Sequence, residues 1–396
     1  MFKKLLFFIL VAQLFITMAN AQDATEAFNE EMPMDFSETA SAAPAASETI
    51  TAKVIEIMEQ KDVARENGSV GKQQKIKLKG LDGSFKDKEF IHNGISEYDV
   101  LSANAYEKGD KVLVTYSKNI DGTDQFFISD YVRRWPLILL SILFVIVILA
   151  TGKFKGFKSL IGLGISCLII IKIIVPRILN GGSPLWIAII GAFFIITIII
   201  YLNEGWNKKS HISALSVLIS LLITLLFSII FTKLCHLTGL AQEEAMFLMG
   251  VKQGAINFQG LLLAGMLIGA VGVLDDIIVG QVEAVRQIKE ANPKLTCPQA
   301  YKMGYKVGNT HLGAIINTLF LTYAGASLPL LLLFSVHQEP FITFSQVINH
   351  EVIATEIVRT LVGSMGVALA MPISTFLASI FINSKDSANI KPELNK

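Results

Sequence analysis

The fold of this chain is decided by the stretch Gly260-Leu-Leu-Leu-Ala-Gly-Met-Leu-Ile-Gly-Ala-Val-Gly-Val-Leu-Asp275-Asp276. The 22 residues from 253 to 274 carry no charge, and at ~1.5 Å per residue they cross the ~30 Å hydrocarbon layer of a membrane as one helix. Gly265, Gly269, Gly272 and Asp276 share one face of this helix, and glycine there lets a second helix approach closely. A carboxylate at the end of that face is costly in lipid without a partner or a wet cavity. The stretch therefore predicts a tightly packed membrane helix with a polar end.

The composition also indicates a membrane protein. Hydrophobic residues make up 52% of the 396 residues and the mean hydropathy is +0.53, a combination that excludes most soluble classes. The net charge of +1 gives no reason to expect a nucleic-acid partner. Cys167, Cys235 and Cys297 are too far apart for a metal-binding pattern. We interpret them as packing residues and expect neither a metal nor another cofactor.

The N-terminal segment is typical of an exported protein. Residues 1–21 contain Lys3-Lys4, an apolar core and Ala19-Asn-Ala21, which together predict a secretory signal peptide. An uncleaved anchor is the alternative, and it would add one membrane span. Residues 22–48 are acidic and end in an Ala/Ser/Pro-rich stretch, which predicts a disordered tether.

Residues 49–131 change to a β pattern. Polar and apolar residues alternate in Lys75-Ile-Lys-Leu-Lys79, and Asn-Gly or Asp-Gly pairs punctuate the region. Five or six short strands are expected, forming a small antiparallel β-barrel with an OB-like fold as one candidate. The basic stretch 72–88 is interpreted as a solvated strand face, with a ligand-binding patch as the alternative.

The rest of the chain predicts an α-helical polytopic membrane bundle in residues 135–384, followed by a tail at 385–396. Seven charge-poor apolar runs are expected to span the membrane: 135–151, 157–175, 184–202, 211–232, 255–275, 307–334 and 360–382. Residues 281–291 continue the fifth span as a polar helix, Thr296 and Gln299 predict a capping box, and residues 341–358 predict an amphipathic surface helix. Lysine and arginine are concentrated in the loops on one side, which places the C-terminus in the cytoplasm and the β domain outside.

Candidate functional side chains meet at the cytoplasmic end of the fifth and sixth spans. Asp275, Asp276 and His311 are expected at similar depth on consecutive helices. Histidine exchanges its proton close to neutral pH, so these groups predict an inner gate or an ion or proton site. The alternative is a structural cap in which Asp275 pairs with Arg286.

Further polar residues extend this candidate site. Thr318 and Thr322 share a helix face with His311, and Asn317 flanks that face. At the outer mouth, Glu356 and Arg359 enter the seventh span.

Lys172 lies near the outer end of the second span, where it either extends alone to the membrane surface or pairs with Glu356. Pro372 interrupts the hydrogen bonding of the seventh span, and it predicts a kink.

Enzymatic activity is not expected. Ser327 lies 16 residues after His311, about 24 Å along the same helix, which is too far for nucleophile activation. The side chains of the adjacent residues Asp275 and Asp276 point about 100° apart on a helix, so they do not form a carboxylate dyad.

Four stretches carry a resemblance to a known family: 260–281 (GLLLAGMLIGAVGVLDDIIVGQ), 307–329 (VGNTHLGAIINTLFLTYAGASLP), 356–372 (EIVRTLVGSMGVALAMP) and 134–156. They resemble the YibE/F-like family of bacterial multispanning membrane proteins, over residues 49–384. The resemblance implies an exported β domain joined to a polytopic bundle in the cytoplasmic (inner) membrane. It provides no assigned activity. Its motif positions correspond here to Asp275, Asp276, Gln281, His311, Asn317, Glu356 and Arg359.

Two functions are consistent with these patterns. The first is a membrane permease or transport-associated protein for a small solute or ion. The second is a non-transporting scaffold or signal coupler whose β domain binds an envelope protein, and an intramembrane enzyme is a minor third. The expected partners are the lipid bilayer and an unknown solute, ion or envelope protein, and a homo-oligomer is also compatible with the sequence.

The charge asymmetry makes the topology testable. A reporter fused after Ser384 is expected in the cytoplasm, and a reporter inserted within residues 338–345 is expected on the outside. Paired fluorescent and alkaline phosphatase fusions measure both positions. The reverse labelling would contradict the predicted orientation.

Overall fold

The computed structural model describes residues 48–64, 70–95, 105–118, 123–251, 256–336 and 342–382. The chain divides into two compact units, and among the described residues the division falls between Val147 and Ile148. The predicted signal peptide (1–21), the tail (385–396) and all but the last residue of the predicted tether (22–48) lie outside the described residues.

The first unit contains a half-barrel of five antiparallel strands. They are β1 (Glu48–Ala64), β2 (Val70–Gly80), β3 (Glu89–Asn93), β4 (Lys111–Lys118) and β5 (Asp124–Tyr131). Their order in the sheet is β3-β2-β1-β4-β5. This agrees with the predicted antiparallel strands, although β1 is a long strand of 17 residues with two irregularities in its pairing. The OB-like fold stays a prediction.

The core of the half-barrel follows from side-chain alternation. Ile76 and Leu78 are fully buried, while Lys77 pairs with Glu89 at 2.6 Å on the exposed face. The edge strands β3 and β5 approach each other where Phe90 stacks on Phe126 with 4.2 Å between ring centroids. Nδ1 of His92 donates a hydrogen bond to the Phe126 carbonyl at 2.6 Å. Aromatic packing therefore draws the two sheet edges together.

The remaining described residues are mostly helical. The helices are α1 (Arg134–Ile169), α2 (Val175–Leu179), α3 (Pro184–Glu204), α4 (Lys208–Leu234), α5 (Glu243–Val251), α6 (Phe258–Ala291), α7 (Cys297–Ala326), α8 (Leu328–Val336), α9 (Phe344–Asn349) and α10 (Glu351–Phe381). Five helical stretches are long and apolar enough to cross a membrane: Arg134–Leu179, Pro184–Glu204, Lys208–Leu234, Phe258–Ala291 and Glu351–Phe381.

The structure differs from the seven predicted spans in two places. The first two predicted spans lie in one helical stretch that breaks at Lys153, where φ is 47° and ψ is −129°. The sixth corresponds to α7 and α8, which are separated at Ser327. α7 is not among the five apolar stretches, because Asn309, His311 and Asn317 lower its hydropathy. The count of seven therefore stays a prediction.

Two local predictions near helix ends have different outcomes. The capping box at Thr296 and Gln299 is present at the start of α7. The amphipathic helix predicted over residues 341–358 is wrong in its extent, because the described chain forms the short α9 and then turns at His350 into α10. Thr343 and Gln346 form a second capping box that starts α9, and this local signal competes with one continuous helix.

The core of the helical unit lies where α4, α6 and α10 pack against one another. α4 contributes a fully buried row of small hydroxyl side chains that includes Ser213, Ser220 and Thr224. Small side chains allow close helix packing. At Gly366 of α10 the approach is so close that an added Cβ would lie 2.1 Å from Oγ1 of Thr224.

This contact predicts that alanine substitution at two glycines of α10 changes the free energy of unfolding by very different amounts. Gly366→Ala is expected to lower the free energy of unfolding by about 1–3 kcal/mol, because the new methyl group overpacks the α4–α10 contact. The control is Gly363→Ala, whose added Cβ would meet nothing within 4 Å and is expected to be neutral or slightly stabilising. Unfolding followed by circular dichroism in detergent measures both; equal destabilisation would contradict the close packing at Gly366.

Candidate functional site

One end of the helical unit carries a network of ion pairs. It is the end at which α3 and α6 finish and α4 and α7 begin, and we call it the charged end. Lys209 of α4 pairs with Glu204 of α3 and with Glu283 of α6, the latter at 2.9 Å. Arg286 pairs with Glu283 at 2.7 Å and with Glu290 at 2.8 Å. The network ties three helices together at this end.

The network corrects one prediction from the sequence. Arg286 was an alternative partner for Asp275, but its guanidinium is bound by Glu283 and Glu290 within its own helix. The preference has a simple reason, since residues three and four apart are neighbours on a helix surface, whereas Asp275 lies three turns away. The structural cap formed by Asp275 and Arg286 is therefore absent.

Asp276 and His311 line the same cavity near the charged end. The cavity has a volume of about 240 Å³ and lies between α6, α7 and α10. Neither of these two side chains makes a hydrogen bond or ion pair with another described residue. The wall also includes the residues Gly280, Gln281, Gly308, Leu312, Ile315 and Met371. An acidic and an imidazole group thus face one space that is large enough for several water molecules.

Asp275 does not belong to this cavity. It follows the buried Leu274 and is half-buried, and its Oδ1 atom is enclosed without a hydrogen-bond partner among the described residues. Adjacent residues on a helix point about 100° apart, so Asp275 faces away from Asp276. The predicted trio separates into a pair, Asp276 and His311, and a single carboxyl group.

Gln281 connects the three helices that surround the cavity. Its Nε2 donates to the Gly304 carbonyl of α7 and to Oγ1 of Thr375 in α10, both at 2.7 Å. The side chain is buried, and a Cβ added at Gly308 would lie 2.7 Å from its Oε1. A Cβ added at Gly304 would lie 2.6 Å from Cγ2 of Val285, so glycine at both positions lets α7 pass close to α6. The position was identified by the family resemblance, and its role as a packing centre is visible only in three dimensions.

The glycine face of α6 differs from the prediction. Gly265, Gly269 and Gly272 are exposed, and a Cβ added at Gly265 or Gly272 would meet no atom within 4 Å. At Gly269 the nearest atom is Oη of Tyr323, at 3.7 Å. The close packing predicted on this face is therefore found instead at other glycines, Gly304 and Gly308 among them. Helical spacing shows that residues share a face, but it does not show what that face meets.

The other predicted residues of α7 lie on its exposed side. Thr318 and Thr322 are exposed, and each hydroxyl donates to a carbonyl four residues earlier, at 2.9 and 2.7 Å. Asn317 is also exposed and makes no hydrogen bond with the described residues. These three side chains therefore extend the polar surface of α7 beyond the cavity.

At the opposite end, Glu356 pairs with Arg359 within α10 at 2.7 Å. Lys172 is exposed within a π-helical turn, Ile170–Ile174, and the structure gives no pair between it and Glu356. Because Arg359 occupies Glu356, the pairing alternative for Lys172 is not supported. Glu356, Tyr323 and Ser327 line a second cavity of about 230 Å³ between α7, α8 and α10.

Sequence reasoning missed two charged residues that fix helix ends. Lys289 is buried, and its Nζ donates to the Ser379 and Ile382 carbonyls at the end of α10, at 2.5 and 2.7 Å. Glu351 accepts hydrogen bonds from the backbone amides of Thr238 and Gly239 at 2.5 and 3.2 Å. A cation at a helix C-terminus is favourable, but the sequence does not show that Lys289 belongs to the end of a different helix.

The described residues contain no group of three or more His, Cys, Asp or Glu side chains placed to hold a metal ion. The side chains that line the cavity are one carboxylate, one imidazole, the Gln281 amide and apolar groups.

Comparison with known proteins gives one match. The model of the family described as YibE/F-like protein matches residues 140–384, which include the helices of the cavity. No curated protein and no solved structure matches the chain.

The hydrogen bonds of Gln281 predict that replacing this side chain destabilises the protein. Gln281→Leu is expected to lower the free energy of unfolding by about 1–3 kcal/mol, because the Gly304 carbonyl and the Thr375 hydroxyl lose a buried donor. Gln287→Leu is the control, since that amide is exposed and donates only to Glu283, and a change within about 0.5 kcal/mol is expected. Thermal unfolding in detergent compares them; a neutral Gln281→Leu would contradict the role of this amide as a packing centre.

Proposed function

Because the chain belongs to the YibE/F-like family and carries five apolar membrane-length helices, we propose that it is a permease or transport-associated protein for a small solute or ion. The bacterial cytoplasmic membrane is the proposed location. The observation that carries the proposal is the cavity lined by Asp276 and His311.

An ionisable residue inside a membrane helix is costly unless it faces water or a partner. Asp276 and His311 have no partner among the described residues but share a cavity, and water or a polar solute in that cavity would satisfy both. Permanent burial in lipid would leave both groups unsatisfied. The simplest occupant is therefore water, together with a cation, a proton or a small polar solute that is exchanged with it.

The arrangement of cavities supports a transport route. The cavity at Asp276 is lined by α7 residues up to Ile315, and the cavity at Glu356 by α7 residues from Phe320. Both also border α10, so the two lie one after the other along the α7–α10 contact. A further, apolar cavity of about 380 Å³ borders the same contact and is lined by Ile316, Leu361 and Met365 among others. A row of cavities along one helix contact fits a transport route.

Specific residues receive roles in this proposal. Asp276 attracts the cation or accepts the proton, and His311 lines the same cavity as a second group that can carry a proton. Gln281 keeps α6, α7 and α10 in register around them. The excess of lysine and arginine near the charged end supports a cytoplasmic location for that end. In this proposal Asp276 and His311 form the inner mouth and Glu356 and Arg359 the outer mouth. We propose no enzymatic step.

Flux measurements test the proposal. The purified full-length chain is reconstituted in liposomes, and the flux of protons, sodium, potassium, chloride and phosphate is compared with that of empty vesicles. At least one of these is expected to move faster through the wild-type protein. Asp276→Asn is expected to slow that flux by about tenfold or more, as the loss of ~1.4 kcal/mol in one interaction implies, and to change its dependence on pH.

The control is Glu244→Gln, which changes an exposed carboxylate of α5 outside both cavities and is expected to leave the flux unchanged. Equal flux in the wild-type protein and Asp276→Asn, at equal protein content, would remove Asp276 from the route. No flux above empty vesicles for any of the five probes would favour the second candidate function.

That second candidate is a non-transporting scaffold or signal coupler. It is favoured by two apolar side chains on the surface of the half-barrel, Ile91 of β3 and Phe127 of β5, which are 46% and 50% exposed. These strands are the two that approach each other, so the two side chains lie near the same seam. Exposed apolar groups of this kind fit contact with an envelope protein.

A further inference from the structure

The outward face of α7 carries two asparagines around a glycine. Asn309, Gly313 and Asn317 follow at intervals of four residues, so they form one stripe on the helix. All three are exposed, and neither asparagine makes a hydrogen bond with the described part of the chain. A Cβ added at Gly313 would meet nothing within 4 Å. The stripe is thus polar, open and without a partner within the described chain.

Neighbouring hydroxyl groups show that these amides are a special case. Thr310 and Thr318 each donate to the carbonyl four residues earlier, at 3.0 and 2.9 Å. A threonine can therefore face lipid with its donor satisfied by its own helix. An asparagine amide carries two donors and one acceptor, and in Asn309 and Asn317 no described residue satisfies any of these.

The depth of Asn317 makes this exposure costly. Counted from Lys306, where charge first marks the membrane boundary, Asn317 lies about 16 Å further along the helix axis. That places it near the middle of a hydrocarbon layer ~30 Å thick, where unsatisfied polar groups cost several kcal/mol. α7 is also absent from the five apolar stretches. Its outward face therefore requires a cover that can form hydrogen bonds.

We propose that a second copy of this chain covers the stripe, with the two α7 helices packed side by side across a two-fold axis along the membrane normal. Such an axis makes the helices parallel and places Asn309 opposite Asn309 of the second copy, and Asn317 opposite Asn317 of the second copy. An amide is complementary to another amide, since each offers both donor and acceptor. Gly313 between them lets the two backbones approach closely.

Other possible neighbours of the stripe satisfy its asparagine side chains less well. Lipid tails offer no hydrogen bonds. Residues 137–149 of the same chain are apolar apart from Ser141, whose hydroxyl already donates to the Leu137 carbonyl at 2.8 Å. Lys306 lies one turn before Asn309, at the boundary, where two lysines can separate into water and anionic headgroups.

The pairing does not depend on the proposed transport. His311 is two residues from both Asn309 and Gly313, and two residues correspond to about 200° around a helix. The cavity with Asp276 and His311 therefore lies on the other flank of α7. Each copy keeps its own cavity, and a protein that moves none of the flux probes would still be expected to pair.

Cysteine cross-linking tests the pairing in native membranes. In a full-length background with Cys167, Cys235 and Cys297 replaced by serine, Gly313→Cys and Asn317→Cys are expected to form a disulfide-linked dimer under mild oxidation. The control is Leu222→Cys, which lies midway along α4 and is 60% exposed, so it faces the membrane without polar neighbours. It is expected to stay monomeric.

A second measurement reports the strength of the pairing. The double variant Asn309→Leu/Asn317→Leu is expected to raise the dimer dissociation constant by about tenfold or more, measured by single-molecule photobleaching in liposomes. Gly313→Ile is an independent variant, because its side chain enters open space in one copy and blocks the approach of two. It is expected to remain folded and to be monomeric.

Three outcomes would overturn the proposal. The first is cross-linking at Asn317→Cys no greater than at Leu222→Cys, and the second is a wild-type protein that is monomeric in liposomes. The third is rapid labelling of Asn317→Cys by a membrane-impermeant maleimide without cross-linking, which would mean that water in a single copy covers the stripe.

Discussion

The hydrogen bonds of one buried amide tie three helices together near the charged end. Gln281 joins α6 to the Gly304 carbonyl of α7 and to Thr375 of α10, and loss of such a buried donor leaves its partners unsatisfied. α7 has few other buried side chains: Ala300, Gly304, Gly308 and Leu319. The position of α7, and with it the cavity of Asp276 and His311, depends on this contact more than on apolar packing.

Polar groups within a membrane need partners. The helices differ in whether their polar groups are buried or exposed. α4 and α10 bury small hydroxyl groups, and Thr224 of α4 fits into the space left by Gly366 of α10. α7 instead leaves most of its polar residues exposed. α7 is joined to the core by Gln281 and by the close contacts at Gly304 and Gly308, so movement of α7 would have to break these contacts.

Charged side chains hold the helices together at both ends of the helical unit. Lys209, Glu283 and Arg286 lock three helices at the charged end, and Lys289 caps the end of α10. At the opposite end Glu351 binds the loop after α4. These contacts lie outside both cavities, so they hold the helix ends without using the groups proposed to act on a solute.

The sequence by itself determined the apolar lengths, the strand alternation at Ile76 and Leu78, the capping box of α7 and the shared depth of Asp276 and His311, because each depends on spacing within one segment. Only the tertiary structure decided that Asp276 and His311 line one cavity, that Gln281 binds Gly304 and Thr375, and that the glycine face of α6 is open while Gly304, Gly308 and Gly366 form the close contacts. Periodicity places residues on a face, whereas the neighbour of that face depends on contacts between segments far apart in the chain, such as Gln281 with Thr375.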